Sequence, residues 1–328
     1  MKLITKFYRG TILESFHVGY AVVVDEKGET LFSAGDPDYP VFIRSAAAPF
    51  QAAVVVESGA VEKFKLNEEE IAMICASHNA ESYHTDLVSN ILKKADLKIE
   101  DLLCGAQPPM DKISYEQLIL QGRRATAIHN NCSGKHAGML AAAKALGLST
   151  ENYIGANHPV QQKILEKIKT CSEREKIPTA IDTCNAPTYF LPLKNLALMY
   201  RKLVDGPDES LRKVYHAMTT HPKQIAGRGR FDTDFIIALG GKAVAKIGSE
   251  GIRGVGLRTE NGRNIGVAIK VLSGNWDAVN SMTLAVLKYI RALDEETLKK
   301  LDIYANPVIK SYTDAEIGKI STEILLED

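Results

Sequence analysis

Ser45 lies in the run Arg44-Ser45-Ala46-Ala47-Ala48-Pro49. Proline suits the first turn of a helix, so Ser45 falls at a loop-to-helix junction. Backbone N–H groups there lack partners and can stabilise an alkoxide or an oxyanion. A serine is a weak nucleophile until a nearby base takes its proton. A lysine one helical turn along would lie on the same face and could do so. Here that position is Ala48. Taken alone, Ser45 reads first as a plain N-cap.

A second group of reactive side chains sits in Asn130-Asn131-Cys132-Ser133-Gly134-Lys135-His136. If a helix starts here, Cys132, Lys135 and His136 project to one side, and lysine plus the helix end favour a thiolate. The Gly-Lys pair lacks the spacing of a phosphate loop, and a simple cap is the plain alternative. Further along, Asp182 and Cys184 are two apart and share a face if the strand-like Thr179–Ile181 continues through them. Two sulfurs with nitrogen donors would suit zinc. Two unrelated buried cysteines explain the spacing equally well.

Three further segments could join a site. Ser77-His78 ends a predicted helix and reads equally as a polar end facing solvent. Lys270 shares a strand face with Gly266 and Ala268, which leave room for another element to approach. A strand lysine more commonly faces water. Gly227-Arg228-Gly229-Arg230 could hold an anion, but a lone Gly-x-Gly is weak evidence for a nucleotide loop.

The elements that must position these residues follow from pattern. Phe16–Val24 reads as a strand that turns at Asp25-Glu26-Lys27-Gly28 and returns over Glu29–Ser33. Helices are predicted from Pro49 to Ser58, from Asn67 (capping box with Glu70), and over Tyr83–Ala95, Gly134–Leu146 and Pro159–Ser172. Others are predicted over Leu191–Leu203, Pro207–Thr220 and Asp232–Leu239. Strands return at Lys242–Ile247, Ile252–Arg258 and Asn264–Leu272, before a helix over Trp276–Ala292 and a charged, peripheral tail. Strands, then helices, then strands disfavour a βαβ repeat. The order predicts an α+β fold: an antiparallel sheet built from both chain ends, with a helical block on it. No linker divides the chain, so residues 1–328 read as one compact unit.

Composition is that of an ordinary globular protein, 45% apolar and 24% charged. Lys+Arg and Asp+Glu both number 40, so nothing points to nucleic acid. The opening Met1–Lys6 lacks a signal-peptide core, and no apolar run reaches membrane length. Five cysteines, an odd number in a large chain, suit reduced thiols and a cytoplasmic protein.

Taken together, the segments resemble the asparaginase II family, the Rhizobium-type or class 3 L-asparaginases. The resemblance runs from Arg9-Gly10 and Glu14-Ser15-Phe16-His17 through Gly35-Asp36-Pro37, Arg44-Ser45 with Pro49-Phe50-Gln51, and Cys75-Ala76-Ser77-His78. Its most specific parts are Asn131–His136 and Asp182-Thr183-Cys184. Arg230–Thr233, Gly248-Ser249-Glu250-Gly251 and Lys270 complete it. It implies hydrolysis of L-asparagine to aspartate and ammonia, a fold similar to serine β-lactamases and glutaminases, and a homodimer. It implies two serine-lysine pairs: Ser45 with the position now held by Ala48, and Ser77 with Lys270. It places zinc on Cys132, Lys135 and Cys184, and substrate contacts on Arg44, His78, His136, Asp182 and Glu250. Lysine must be neutral to bind a metal. The intact surroundings of Ala48 favour an introduced change there, and hence an impaired form. A zinc-water amidase, a glutaminase and an inactive asparagine-binding protein are the alternatives.

Overall fold

The computed structural model describes residues 1–326 and divides into two compact units. One comprises Met1–Ala46, Phe190–Val204 and Asp234 onward; the other comprises Ala47–Tyr189 and Asp205–Thr233.

The first unit is built on an eight-stranded sheet. Its strands are β1 Lys2–Arg9, β2 Ile12–Val24, β3 Thr30–Ala34, β4 Ala243–Gly248, β5 Ile252–Arg258, β6 Asn264–Val271, β7 Val308–Lys310 and β8 Glu316–Leu325. The order is β7-β8-β1-β2-β6-β5-β4, with β3 also on β2. All neighbouring pairs are antiparallel. The sheet is therefore assembled from both chain ends, as the element order predicts. The β2–β3 turn is also as predicted: the Asp25 carboxylate accepts from Lys27 N and Glu29 N, each at 2.9 Å, and Gly28 takes φ +83°.

The tail corrects the sequence reading. It is no peripheral appendage, because β8 pairs with β1 over eight positions from Lys2↔Leu325 to Arg9↔Gly318. Charged residues between Ile317, Ile320 and Ile324 hide a half-buried strand whose partner lies at the other end of the chain. Two helix limits also move. The chain is extended over Pro187–Pro192 before the helix Leu193–Asp205 begins, and the helix from Trp276 ends at Tyr289.

Glycines let the helix Leu193–Asp205 lie directly on one face of the sheet. A Cβ on Gly266 would sit 1.9 Å from Ala197 O, and one on Gly254 would sit 1.9 Å from the Tyr200 ring. Gly266 meets backbone, which cannot rotate away. Gly266→Ala is expected to cost about 3 kcal/mol or more, at the upper end of overpacking. Chemical denaturation checks this, and a variant as stable as the parent would refute the packing argument.

The second unit is helical. Its central helix, Ser133–Ala145, is buried from Ser133 through Ala143. Gly134 permits this, since a Cβ there would lie 2.2 Å from Met73 O. The capping box of Asn67 with Glu70 is present, with Glu70 N donating to Asn67 Oδ1 at 2.9 Å and Asn67 N to Glu70 Oε2 at 2.8 Å. The helix Lys112–Leu120 has no counterpart in the sequence reading; it buries only Leu118, so it shows no apolar stripe.

His84 gives this unit a pH dependence. Its Nδ1 accepts from Glu81 N at 3.2 Å and its Nε2 faces Lys223 O at 3.1 Å, which fixes the neutral ring with its proton on Nε2. Burial lowers its pKa to about 4, against an ordinary 6.5. Because the folded pKa is depressed, this stability is complete above pH 6.5 and is lost as the pH falls toward 4. The loss should reach about 3 kcal/mol. Urea midpoints across that window should fall more steeply for the parent than for His84→Gln, and equal slopes would contradict the assignment.

Candidate functional site

Two clusters carry the chemistry, one in each unit. In the sheet unit, Ser45 sits in the single 3-10 turn Arg44–Ala47, which runs straight into the helix Ala48–Glu57. The N-cap of that helix is Ala47, with no side-chain cap. Ser45 is therefore not the plain N-cap of the simplest reading. The turn is held at several points. Ala46 N donates to Ile43 O at 3.0 Å, and the Tyr200 hydroxyl donates to Ala46 O at 2.8 Å. Arg44 takes φ +47°, a left-handed conformation that costs a non-glycine residue energy and is kept where the surroundings enforce it. Ser45 itself is half-buried.

Lys270 stands on the same sheet face as Ala268 and Gly266, as its spacing predicts. The register sets Lys270 opposite Ile252 and Tyr20. Its Nζ donates to the Glu250 carbonyl oxygen in the β4–β5 turn. Burial lowers its pKa; the Glu250 charge opposes this and the Arg44 charge adds to it. Arg44, Glu250 and Lys270 thus share one electrostatic neighbourhood, and Lys270 holds a larger neutral fraction than an ordinary lysine. An amine of that kind can take a proton from a hydroxyl.

In the helical unit, Cys132 caps the helix Ser133–Ala145, and Lys135 and His136 follow on its first turn. Asp182 and Cys184 arrive from a turn, not from a strand. Thr179–Ile181 ends at Ile181, and Asp182–Asn185 is the hairpin turn to Pro187, with Asn185 N donating to Asp182 O at 2.8 Å. Asn185 at φ +68° closes the turn. Asp182 and Cys184 are nonetheless both buried while Thr183 and Asn185 are exposed, so they do share a side. The five cysteines of the chain are all buried, and none is in a disulfide.

The sulfurs of Cys132 and Cys184 are close enough to share a proton. Cys132 remains the thiol and Cys184 the thiolate, its pKa driven down by that shared proton, with Lys135 and His136 adding to the effect. Burial opposes the charge on Lys135, but the two sulfurs and Asp182 outweigh it and hold the ammonium. His136 is neutral, its pKa lowered by burial. Leu103 N donates to the Tyr153 oxygen at 2.9 Å, which directs the Tyr153 hydroxyl onto His136 Nδ1 at 2.7 Å. The ring proton is then on Nε2, which is directed at Cys184. Cys104, pushed up to about 12 by burial and by Cys184, flanks the group.

Whether zinc suits these residues is a question of donors. Among the described residues, no three His, Cys, Asp or Glu side chains form a metal-holding set. A site here therefore needs Lys135 as its nitrogen donor beside the two sulfurs. One buried atom is open beside this set: the hydroxyl of Tyr189, on which the Lys135 charge acts, has no hydrogen-bond partner in the structure. Two sulfurs and the Lys135 nitrogen would supply three of zinc's four positions, and the ammonium would have to lose its proton to do so.

Ser77 and His78 lie in extended chain after the helix Glu68–Ile74 and are buried at 5% and 0% exposure. His78 Nδ1 accepts from Ala80 N at 3.0 Å, so Nε2 donates to Ser133 Oγ at 2.9 Å, which in turn donates to Ile128 O. Both nitrogens of His78 are thereby engaged by protein groups. Arg228 and Arg230 bind protein carboxylate and amide oxygens, at Asp111 and Asn79, rather than an open anion site. Tyr153 and Tyr189 escape the sequence reading. Only the hairpin register, Thr179↔Tyr189, could have placed Tyr189 near Cys184.

The family model described as L-asparaginase II matches residues 5–322. A search of curated protein sequences returns no match. Among solved structures, the chain is similar to a β-lactamase from Sphaerobacter thermophilus DSM 20745, at 14% identity and a TM-score of 0.40, over 83% of this chain and 91% of that one. It is also similar to Mglu in its native form, at 16% identity and a TM-score of 0.35, over 85% of this chain and 62% of that one. At these TM-scores neither likeness bears on function. No helix among the described residues is long and apolar enough to cross a membrane.

Proposed function

We propose, starting from the fact that this chain belongs to the L-asparaginase II family, that it hydrolyses the side-chain amide of L-asparagine through Ser45. Family membership supports an amidohydrolase of the asparaginase type. The observation that carries the serine reading is Lys270, a half-buried amine of lowered pKa in one electrostatic neighbourhood with Arg44 and Glu250. Ser45 Oγ bonds to the amide carbon as its proton passes to a base, the role that Lys270 would fill. Ammonia leaves with a returned proton, and water then cleaves the aspartyl ester and restores the hydroxyl. Arg44 suits the substrate carboxylate, and Glu250 suits its ammonium. His78 and His136, held by protein groups, keep their elements in place.

Cys132, Lys135 and Cys184 would hold zinc, which when bound supplies a fixed positive charge joining the helix start to the hairpin turn. The burial of all three side chains favours this structural role over a zinc-water amidase, whose metal must be open to substrate. The same proposal includes residues 1–328 acting as one unit and pairing as a homodimer in the cytoplasm. Asparagine and glutamine differ by one methylene, worth only about 1–3 kcal/mol in a pocket. The test is ammonia release from both amides, with metal content measured in the parent and in Cys132→Ser. The expected result is faster turnover of asparagine, with activity falling less than metal content in the variant. Turnover in strict proportion to metal would favour the zinc-water mechanism.

A further inference from the structure

Ser45 has no amine one helical turn along the chain, because that position is Ala48. Within the sheet unit, Lys246 on β4 is fully buried, at 0% exposure. Its register opposite Gly254 puts it on the same sheet face as Gly248, in the row next to the one that holds Lys270. Its Nζ donates to Ile247 O at 2.7 Å. That carbonyl lies on the Gly248 side of Lys246, so the side chain runs along the strand toward Gly248. The Ser45 turn rests there: a Cβ on Gly248 would lie 2.8 Å from Ile43 O and 3.1 Å from Ala46 N. A second contact agrees. Gly254, opposite Lys246, is covered by the Tyr200 ring, whose hydroxyl donates to Ala46 O. Lys246 thus lies on the sheet face that carries Ile43–Ala46, two residues along β4 from the position the turn touches.

We propose that Lys246 is a positioning residue of the serine site, placing a buried positive charge near the Ser45 turn that favours the Ser45 alkoxide. This is a task a lysine at position 48 would otherwise share. The inference rests on Ser45 being the nucleophile, as in the function proposed above. No bond forms to Lys246. As Ser45 Oγ gives its proton to a base and bonds to the electrophile, the buried cation offsets the developing charge.

The test reads Ser45 without assuming a substrate. A serine-directed fluorophosphonate forms an Oγ–P bond and releases fluoride, and the rate at Ser45 is followed by peptide mass spectrometry. Lys246→Met is expected to lower that rate about 10²-fold. Lys246→Arg should keep most of it, and Ala48→Lys combined with Lys246→Met should recover about tenfold. Lys246→Met labelled as fast as the parent would overturn the proposal. If Lys246→Met does not fold, Lys246→Arg decides. Labelling of a folded arginine variant at less than a tenth of the parent rate overturns the proposal. Labelling of Ser45 without ammonia release from either amide overturns the amidase reading but not the role of Lys246. An unlabelled Ser45 overturns both.

Discussion

Replacing Ser45 with alanine should lower kcat for asparagine by about 10⁴-fold or more, as removal of a nucleophile does, with the fold unchanged. The turn that carries Ser45 is secured by main-chain contacts. Ala46 N bonds Ile43 O, and Ala46 O takes the Tyr200 hydroxyl. Melting curves of parent and variant should therefore differ by no more than about 1 kcal/mol, the centre of the range for point substitutions. A loss of activity accompanied by a loss of structure would instead make Ser45 a scaffold residue. A nearly unchanged kcat would move the chemistry elsewhere.

The second large effect is on stability. In the metal-free protein, Cys184→Ala removes the thiolate that balances the buried Lys135 ammonium, since Cys184 is the ionised member of its pair with Cys132. Breaking a buried charge pair by deleting one partner costs about 3–5 kcal/mol. Cys104→Ala is the control. Cys104 is equally buried, but burial and the nearby Cys184 charge keep it a neutral thiol. Its loss should cost about 1 kcal/mol, the centre of the range for point substitutions. Urea denaturation of both variants decides the matter. Equal costs would mean that the Cys184 charge carries no structural weight.

How far such a site can be read from sequence depends on the range of the forces that build it. Local rules served well. The Asn67–Glu70 box, the Asp25–Gly28 turn and the start at Pro49 are decided within one turn of chain, and all are present. The face shared by Gly266, Ala268 and Lys270 follows from strand alternation alone, and the register bears it out. Long-range pairing was not legible. The strand Glu316–Leu325 looks like a charged tail until β1 stands beside it. Asp182 and Cys184 share a side for a different reason from the predicted strand: a tight turn buries both. Tyr153 and Tyr189 reach the cysteine cluster only through tertiary packing, and a tyrosine carries no signal of that in its own neighbourhood. Lys246 is the same case, an ordinary strand lysine by pattern that the fold buries completely.

Ala48 marks where family resemblance and this chain part. It is buried at 1% exposure, and a methyl there offers no proton acceptor. The amines that remain in the sheet unit near the serine turn are Lys270, with its lowered pKa, and the buried Lys246. Activity in the unaltered chain would mean that these suffice.

The most direct measurement is acid quenching of the protein during turnover of asparagine, followed by the mass of the peptide that carries Ser45. The account predicts an aspartyl ester on Ser45 that appears with ammonia release and is absent from Ser45→Ala. Ammonia release at an undiminished rate in Ser45→Ala, with no ester on the parent peptide, would contradict it.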